Sequence, residues 1–377
     1  MNIQNVCALC FDDADLSAWI KEQNGPIGCD VCKQSDAPTV DLYILCEYFK
    51  ECLSIFWGTA IEQLPYDGRE GGYQGTTWTT DELIFDSVGL ELTRDNNGLL
   101  FSAICEITCD DEPWCDYDWL TLDEDDALRF SWESFSKTVK HERRFFLHYN
   151  EKSSGDSDPH SSLRLLSLIS DYVEEFGLIH QLETGKNLWR ARDNIADNNK
   201  IDAQTFGPPP RELATQSNRM NPPGIPMLYV AEKPQTAVLE IRQRYAKVGQ
   251  FKLARNAVVL DLTTLPKIPG IFSKPDRFNT LILRFIHHFT TEIIKPVART
   301  DRTHIDYIPS QVVTEYFRDH KFKIGMLDGI RFPSAADPGE NNIVLFIDTL
   351  KPKSSEILPN APSPMLTFLR WEDLAVK

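Results

Sequence analysis

Several familiar features are missing from this sequence of 377 residues, and each absence excludes a class of protein. No apolar run approaches the roughly 18–20 residues that a membrane-spanning helix needs. Neither the G-x-G-x-x-G pattern nor a P-loop occurs, which excludes a Rossmann dinucleotide site and a P-loop NTPase. Residues 1–10 lack the basic and apolar regions of a signal peptide. We therefore expect a soluble, cytoplasmic protein that does not associate with membranes.

Basic residues are scarce in the first half of the chain, and cysteine is absent from the second half. Residues 1–180 contain 12 Lys and Arg against 35 Asp and Glu, whereas residues 181–377 contain 27 against 21. The net charge of −17 argues against nucleic-acid binding, because phosphate contacts need clustered Lys and Arg. The contrast predicts two domains, 1–180 and 181–377. A hydrophobic content of 42% is enough for each to bury a core.

Two C-x2-C pairs give the clearest local signal in the first half. Cys7 and Cys10 form the first pair, and Cys29 and Cys32 form the second. Two such pairs supply the four thiolates of a tetrahedral zinc site, so we predict a structural zinc knuckle over residues 7–32. Four protein ligands leave no open position for catalysis. Four reduced thiols, or redox pairs, are the alternative.

Two further patterns in the first half have competing interpretations. The stretch 131–149 has helical spacing of aromatic residues, and within it Arg143 and His148 have the R-x4-H spacing of HEPN-type RNases. Such a pair can stabilise and protonate a cleaved phosphodiester, but Arg and His at this spacing also occur by coincidence. The carboxylate-rich stretch 110–126 lacks the calcium-loop pattern, so we interpret it as a solvated face or a docking surface.

The second half alternates short strands with helices and shows no βαβ regularity, which predicts an α+β fold. The tail after Lys351 ends in apolar residues and is expected to dock back on the domain. The expected strands span 188–192, 225–230, 251–253, 257–262, 330–332 and 343–347, and the expected helices span 234–245, 278–294 and 311–320.

An ordered set of polar residues in the second half resembles the RES domain family, which is named for its Arg, Glu and Ser. Arg219 is followed ten positions later by Tyr229 and eleven positions further by Glu240. Arg190 precedes them in the segment LWRAR, and the downstream stretch from Phe332 to Asn342 contains Ser334. The resemblance covers residues 186–350. The first half is similar to the HEPN-like domain found before some RES domains, through its C-x2-C pairs and the WESFSKTVKHERRFF stretch.

The RES resemblance implies an ADP-ribosyltransferase-like mixed α/β domain that degrades NAD+ by hydrolysis or phosphorolysis. The implied catalytic residues are Arg219, Tyr229, Glu240 and Ser334, and the implied substrate-binding residues are Arg190 and Asn342. A carboxylate suits the oxocarbenium-like state formed when nicotinamide leaves ribose. An arginine can bind pyrophosphate with two parallel hydrogen bonds. The resemblance also implies a toxin or defence effector with an antitoxin or regulatory partner, and the HEPN-like half implies a homodimer.

Each proposed site residue also has an ordinary structural explanation. Glu240 and Arg244 have the spacing of a surface ion pair on a helix. Arg219 can bind a carbonyl, and Tyr229 can be a core residue. Ser310 is an alternative to Ser334 as the site serine, although Ser310 is more simply explained as a helix N-cap. Two other functions stay open from the sequence. One is mono-ADP-ribosylation of a macromolecule, and the other is RNA cleavage through Arg143 and His148.

Overall fold

The computed structural model describes residues 3–69, 71–95, 97–117, 122–147, 160–193, 195, 201–296, 302–347 and 365–376. The chain divides into two compact units. One comprises Met1–Asp126 with Lys267–Arg284, and the other comprises Ala127–Pro266 with Phe285–Lys377. The domain boundary at residue 180 stays a prediction. No helix in these ranges is both long enough and apolar enough to cross a membrane.

The helices are numbered α1 to α10 along the described ranges. They span Ala14–Glu22 (α1), Leu42–Leu53 (α2), Ala60–Gln63 (α3), Leu99–Thr108 (α4), Glu124–His141 (α5), Ser162–Glu175 (α6), Pro234–Glu240 (α7), Arg277–Ile294 (α8), Thr303–Asp306 (α9) and Ile308–Asp319 (α10). Short 3-10 turns cover Ala8–Cys10, Arg211–Leu213 and Ile271–Ser273, and Glu82–Ser87 form a π-helix.

The strands are numbered in the same way. They span Asn5–Cys7 (β1), Thr39–Asp41 (β2), Trp57–Thr59 (β3), Tyr66–Asp67 (β4), Gly72–Tyr73 (β5), Trp114–Asp116 (β6), Ile179–Leu182 (β7), Asn187–Arg192 (β8), Leu228–Ala231 (β9), Tyr245–Leu253 (β10), Ala257–Asp261 (β11), Lys321–Phe322 (β12), Gly325–Met326 (β13), Gly329–Pro333 (β14), Asn341–Leu345 (β15) and Leu366–Ala375 (β16).

The first unit has helices and two-stranded pairings around one apolar core. Helix α2 begins after Asp41, whose carboxylate accepts hydrogen bonds from the backbone N–H groups of Tyr43 and Ile44 and caps the helix. Its apolar face packs in the core, and Cys46 and Cys52 are fully buried there. These two cysteines therefore act as packing residues.

The second unit is built on a mixed sheet of eight strands in the order β16-β10-β8-β9-β15-β14-β11-β7. Strands β11 and β14 are parallel, and the other neighbours are antiparallel. Strand β8 pairs with β10 over six residues but with β9 only at Trp189 and Ala231. Strands β8 and β9 are therefore joined by far less backbone pairing than β8 and β10. The α+β prediction, with a helix-rich first part and a mixed sheet in the second, is confirmed.

The two faces of this sheet bury different apolar sets, as the alternation of side chains along a strand requires. Leu188 and Phe251 belong to one cluster, which includes Phe206 from the segment before β9. Ala191 and Val248 belong to the other, which includes residues of α7. Arg190 and Arg192 therefore share a face with Leu188. Tyr229 shares the opposite face with Trp189 and Ala191, because Ala231 is paired with Trp189. Since β8 and β9 pair at this one point, residues from both faces of β8 can border the cavity described below.

Three predicted element boundaries need correction. The predicted helix 234–245 ends at Glu240, because Arg242 has a φ of 57° and Tyr245 already starts β10. The predicted strand 251–253 is only the end of β10. The helix expected over 131–149 is α5, which begins at Glu124 and ends at His141. Residues 148 and 149 lie outside the described residues.

The tail does return to the sheet, as expected from its apolar residues. Strand β16 pairs with β10 along its length, from Leu366 opposite Leu253 to Ala375 opposite Tyr245. The part of the tail between residues 348 and 364 lies outside the described residues.

Candidate active site

A cavity of about 580 Å³ lies in the second unit and collects most of the predicted site residues. Its volume is within the range of small-molecule sites in proteins. Arg190, Arg219, Tyr229, Glu240 and Asn342 all line it, whereas Ser334 does not. The remaining lining residues are Trp189, Ala191, Arg192, Asp193, Pro209, Leu213, Ala214, Gln216, Ser217, Asn218, Asn221, Met227, Val230, Ala231, Ala237, Ile241, Thr303, Tyr307 and Phe332.

Glu240 is the last residue of α7, and its carboxylate is held from two directions. Ser334 Oγ and Asn342 Nδ2 each donate a hydrogen bond of 2.6 Å to Glu240 Oε1. Neither of these bonds uses Oε2. The ion pair expected between Glu240 and Arg244 is not a helical pair, because the helix ends before Arg244. The carboxylate is therefore fixed at one oxygen, and the other can bind a ligand.

Ser334 supports Glu240 from outside the cavity. It follows β14 and is only 6% exposed. The backbone N–H groups of Ala336 and Asp337 donate to Ser334 Oγ at 3.2 and 3.0 Å. Because these two groups occupy the oxygen as an acceptor, the hydroxyl proton is left to bond to Glu240. Thr236 Oγ1 donates to Asp337 Oδ2 at 2.6 Å, which ties this turn to α7.

Arg219 lies in the segment before β9, and its backbone is anchored. Its carbonyl oxygen accepts a hydrogen bond of 2.6 Å from Ser310 Oγ. Its guanidinium lies over the ring of Phe332, 5.3 Å from the centroid. Among the described residues, its Nη1 atom is buried and has no hydrogen-bond partner. A buried N–H without an acceptor costs free energy, and the residue as a whole lines the cavity.

Ser310 is not the helix N-cap that the sequence suggested. Helix α10 begins at Ile308, and Ser310 lies in its first turn. Its hydroxyl bonds to the Arg219 carbonyl and to the Tyr307 carbonyl instead. Next along the helix, Gln311 Nε2 donates to Ser217 Oγ and to the carbonyl of Asn218, at 2.9 and 2.7 Å. Helix α10 therefore fixes the segment that contains Arg219.

Tyr229 orients the same segment through its hydroxyl. The hydroxyl donates to Asn221 Oδ1 at 2.8 Å and accepts from the backbone N–H of Met220 at 3.1 Å. Burial raises the pKa of Tyr229 above its usual range, although the Met220 N–H and the charge of Arg219 act in the opposite direction. The phenol therefore stays neutral. Tyr229 lines the cavity, and its hydroxyl holds the segment that contains Met220 and Asn221.

Two arginines of β8 complete the polar lining. Arg190 Nη1 and Arg192 Nε are both buried, and neither has a hydrogen-bond partner within the described ranges. Burial lowers the pKa of Arg190, and the like charge of Arg192 lowers it further. Burial also lowers the pKa of Arg192, against the opposing effect of Asp193. Three arginines thus line one cavity, an arrangement that suits a polyanionic ligand.

Some of these residues were not found by sequence reasoning. Arg192 stands in the same LWRAR segment as Arg190, and the period-two alternation of a strand places both on one face. That signal was available in the sequence. Asn221 and Gln311 had no comparable signal, because their hydrogen bonds depend on tertiary packing. Phe332 belongs to the downstream stretch that the resemblance already included.

The four cysteines of the two C-x2-C pairs come together in the first unit. Their sulfur atoms all lie within 4.8 Å of one another, and three of the four residues are buried. The Cys7–Cys10, Cys7–Cys32 and Cys10–Cys29 sulfur distances are 4.0, 3.5 and 3.7 Å. A zinc–sulfur bond of about 2.3 Å gives a tetrahedron whose edge is about 3.8 Å. The cluster could therefore bind zinc.

The turns around these cysteines are fixed by the backbone. Asp30, between the second pair, accepts hydrogen bonds from the N–H groups of Gln4 and Asn5, just before the first pair. Gly28 has a φ of 108°, which favours glycine at the entry of the second turn. The bond from Cys10 lowers the pKa of Cys29 to about 4, so the cluster can supply a thiolate.

One member of the proposed RNase pair, Arg143, lies among the described residues. Arg143 lies just after α5, in the segment between α5 and α6. His148 lies outside the described residues.

Two protein-family models match this chain, one in each half. Residues 187–368 match the RES domain, and residues 22–153 match the HEPN/RES N-terminal domain 1. No curated protein and no solved structure matches the chain at a significant level.

Proposed function

The chain belongs to the proteins that join a HEPN/RES N-terminal domain 1 to a RES domain, and on this premise we propose that it degrades NAD+ by cleaving the bond between nicotinamide and ribose. One observation carries the proposal. A single cavity is lined by a carboxylate held by two hydrogen bonds and by three arginines, each of which has a buried nitrogen without a hydrogen-bond partner in the part of the chain that the structure describes. This combination suits a ligand with a reacting ribose and a pyrophosphate.

Glu240 has the chemistry that the reacting ribose requires. Loss of nicotinamide leaves positive charge on the ribose, as in glycoside cleavage, and a fixed carboxylate stabilises that charge or orients the attacking oxygen through the ribose hydroxyls. Ser334 and Asn342 hold the carboxylate before the substrate arrives, so little reorganisation is needed. Nicotinamide leaves as a neutral molecule and needs no proton. A second acidic residue is therefore unnecessary.

Arg219 and Arg190 are suited to the pyrophosphate. Both line the cavity, and the positive charge of each acts against the burial that raises the pKa of Tyr229, so both lie near that ring. A guanidinium forms two parallel hydrogen bonds with phosphate oxygens, which an ammonium group cannot do. The ring of Tyr229 offers a surface for nicotinamide. The substrate then lies between Glu240 and the arginines.

We extend the proposal to the remaining parts of the protein. RES domains form a family of enzymatic toxins, and an enzyme that depletes NAD+ in the cytoplasm would act as a toxin or defence effector. An antitoxin or other regulatory protein would then control it. The four-cysteine cluster would hold a structural Zn²⁺ in the first unit. The HEPN-type domain would mediate a homodimer.

Release of nicotinamide from NAD+ tests the activity directly. We expect the full chain to release nicotinamide and the Glu240→Gln variant to be slower by at least about 100-fold, because an amide cannot stabilise the developing cation. Glu183→Gln is the matched control, since Glu183 is exposed in the same unit and does not line the cavity. Free ADP-ribose or its 1-phosphate is the expected product. An ADP-ribosylated macromolecule would instead identify a transferase.

Two results would contradict the proposal. One is a wild-type protein that releases no nicotinamide. The other is release by Glu240→Gln at the wild-type rate, which would separate the reaction from this cavity.

A further inference from the structure

A second cavity, of about 480 Å³, lies beside the candidate active site in the same unit. Its volume is also within the range of small-molecule sites. It is lined by Arg211, by the segment 224–227 that leads into β9, by Arg318 of α10 and by Phe346. Met227 lines both this cavity and the active-site cavity. The two cavities therefore adjoin at this residue.

Two arginines give the second cavity a positive charge. Arg211 begins the 3-10 turn that ends at Leu213, and Arg318 lies in the last turn of α10. No Asp or Glu is among the residues that line the cavity in the described part of the chain. An anion that enters would therefore meet two guanidinium groups in the wall and no carboxylate, which favours its binding.

The guanidinium of Arg318 has donors to spare. The side chain is 32% exposed, and within the described ranges its one hydrogen bond runs from Nε to Asp319 Oδ1, at 3.2 Å. Asp319 is 74% exposed, so this ion pair contributes little stability. Burial raises the pKa of Glu315, one turn earlier in α10, and the charge of Arg318 acts against this rise. Both Nη atoms of Arg318 are left to bind an anion with two parallel hydrogen bonds.

The remaining walls of the second cavity are apolar. They consist of Ile225, Pro226, Met227 and Phe346. Apolar walls favour a ligand whose body buries apolar surface, whereas the two arginines favour a negatively charged group. The combination suits a small molecule that joins an anionic head to an apolar ring.

Two walls of the second cavity continue directly into the wall of the active-site cavity. The N–H of Gly224 donates to the carbonyl of Ala214 at 2.7 Å, and Ala214 lines the active-site cavity. The carbonyl of Ile225 accepts a hydrogen bond of 2.8 Å from Asn221 Nδ2. Asn221 Oδ1 in turn accepts the bond from the Tyr229 hydroxyl. A ligand against the segment 224–227 would therefore act on residues that line both cavities.

Helix α10 forms a third connection between the two cavities. Arg318 lines the second cavity near the end of the helix, and Ser310 in the first turn holds the carbonyl of Arg219. A helix transmits a displacement along its length because its backbone is rigid. The residues that would hold an anion in the second cavity are thus tied to Arg219 and to Tyr229.

We propose that the second cavity is an effector site, which binds a small anion with an apolar ring and thereby changes the affinity of the active-site cavity for NAD+. The binding of the anion stands on the second cavity alone, whereas its effect on NAD+ rests on the proposed function. Two ligand classes share the required chemistry. One is an aromatic carboxylate, and the other is a phosphate monoester of a ring compound.

Calorimetric titration of the full chain tests the binding, with benzoate and phenyl phosphate as the two probes. We expect at least one probe to bind, and Arg318→Gln and Arg211→Gln each to weaken its binding at least about tenfold, because the anion loses a charge-assisted partner. Arg244→Gln is the matched control, since Arg244 is exposed in the same unit and lines neither cavity. Arg219→Gln alters only the active-site cavity and should leave probe binding unchanged.

Steady-state kinetics of nicotinamide release test the coupling. We expect a saturating concentration of the bound probe to change the KM for NAD+ of the wild type at least about threefold, as expected for two coupled sites. The same concentration should not change the KM of Arg318→Gln. An effect that persists in Arg318→Gln would show that the probe acts in the active-site cavity, which overturns the coupling.

The inference and the proposed function fail separately. Equal probe binding by the wild type, Arg318→Gln and Arg244→Gln, or binding weakened by Arg219→Gln alone, overturns the effector site and leaves NAD+ cleavage standing. Probe binding that depends on Arg318 but leaves the KM for NAD+ unchanged overturns the coupling. If the chain cleaves no NAD+, the proposed function fails, and calorimetry still decides whether the second cavity binds the anion.

Discussion

The side chains of the site form two groups. Those of the first group face the cavity, and those of the second group hold the first in position. Glu240 faces the cavity, whereas Ser334 lies behind it and is bonded to Glu240. Arg219 faces the cavity, and Tyr229 and Ser310 fix the segment that contains it. A residue that positions another acts only through that residue. Replacing it should therefore change the chemical step more than it changes substrate binding.

Ser334→Ala tests this distinction at one hydroxyl. We expect kcat for nicotinamide release to fall about 10- to 100-fold with KM for NAD+ within about threefold, because the carboxylate loses one of its two hydrogen bonds. Steady-state kinetics of the purified full chain provide both constants. Ser170→Ala is the control, since Ser170 is also buried in this unit but bonds within α6. A rise in KM with unchanged kcat would show that Ser334 binds substrate and does not position Glu240.

Much of the site could be predicted from residue spacing, and the rest could not, for a physical reason. Arg219, Tyr229 and Glu240 lie close together in the chain, so their spacing carries a family pattern. Gln311 contacts the Arg219 segment from about 90 residues away. Only the packing of α10 brings that amide to the loop, and no local pattern in the sequence encodes it.

At the scale of elements, an ionic network joins the strands that carry the site. Arg331 of β14 donates from Nη2 and Nε to Glu232, which follows β9, at 2.9 and 3.0 Å. Its Nη1 donates to Asp261 of β11 at 2.8 Å. Lys186, just before β8, pairs with Glu232 at 2.7 Å. The network therefore fixes the ends of strands that supply Arg190, Tyr229 and Phe332.

Glu232→Gln should destabilise this unit in a pH-dependent way. Burial acts to raise the pKa of Glu232, but the bonds from Arg331 and Lys186 outweigh it and lower the pKa to about 2. A lowered carboxyl pKa contributes stability that is fully present above about pH 4.5 and is lost as the pH falls toward 2. The shift corresponds to up to about 3 kcal/mol. Glu232→Gln should therefore melt below the wild type at pH 7, and the difference should shrink near pH 3.

Thermal melting followed by circular dichroism at the two pH values checks this expectation. Glu175→Gln, an exposed glutamate of α6, is the control for removing one negative charge. A difference from wild type that stays constant between pH 7 and pH 3 would exclude the ionised carboxylate as its source.

Elements were predicted well where periodicity was long and poorly where a segment changes from helix to strand. Residues 241–245 have no clear period, and the apolar residues of β10 that follow can belong to either element. The change is decided by tertiary pairing, because β10 lies between β8 and β16. Because α7 ends at Glu240, the carboxylate lies at a helix terminus. There it accepts hydrogen bonds from Asn342 of β15 and from Ser334, which directly follows β14.

At the scale of the whole molecule, the contrast in charge follows the two units. The unit with the cysteine cluster has 9 Lys and Arg against 28 Asp and Glu, and the unit with the cavity has 30 against 28. The second unit is therefore close to neutral overall. The proposed binding of an anion would therefore rest on the three arginines that line the cavity, because a nearly neutral unit offers little long-range attraction.

The proposed zinc ion would stabilise the acidic unit, because the four cysteines lie on short turns near its N-terminus. We expect purified protein to contain about one zinc per chain, and Cys10→Ser to contain less than about a tenth of that, since three thiolates leave the tetrahedron open. Loss of the metal should cost about 3 kcal/mol or more and lower the melting temperature of this unit by roughly 10 °C. Cys46→Ala is the matched control, because Cys46 is equally buried in the same core but lies outside the cluster. Elemental analysis and melting with and without a chelator measure both effects. Equal zinc content in Cys10→Ser and Cys46→Ala would show that the four thiols do not hold the metal.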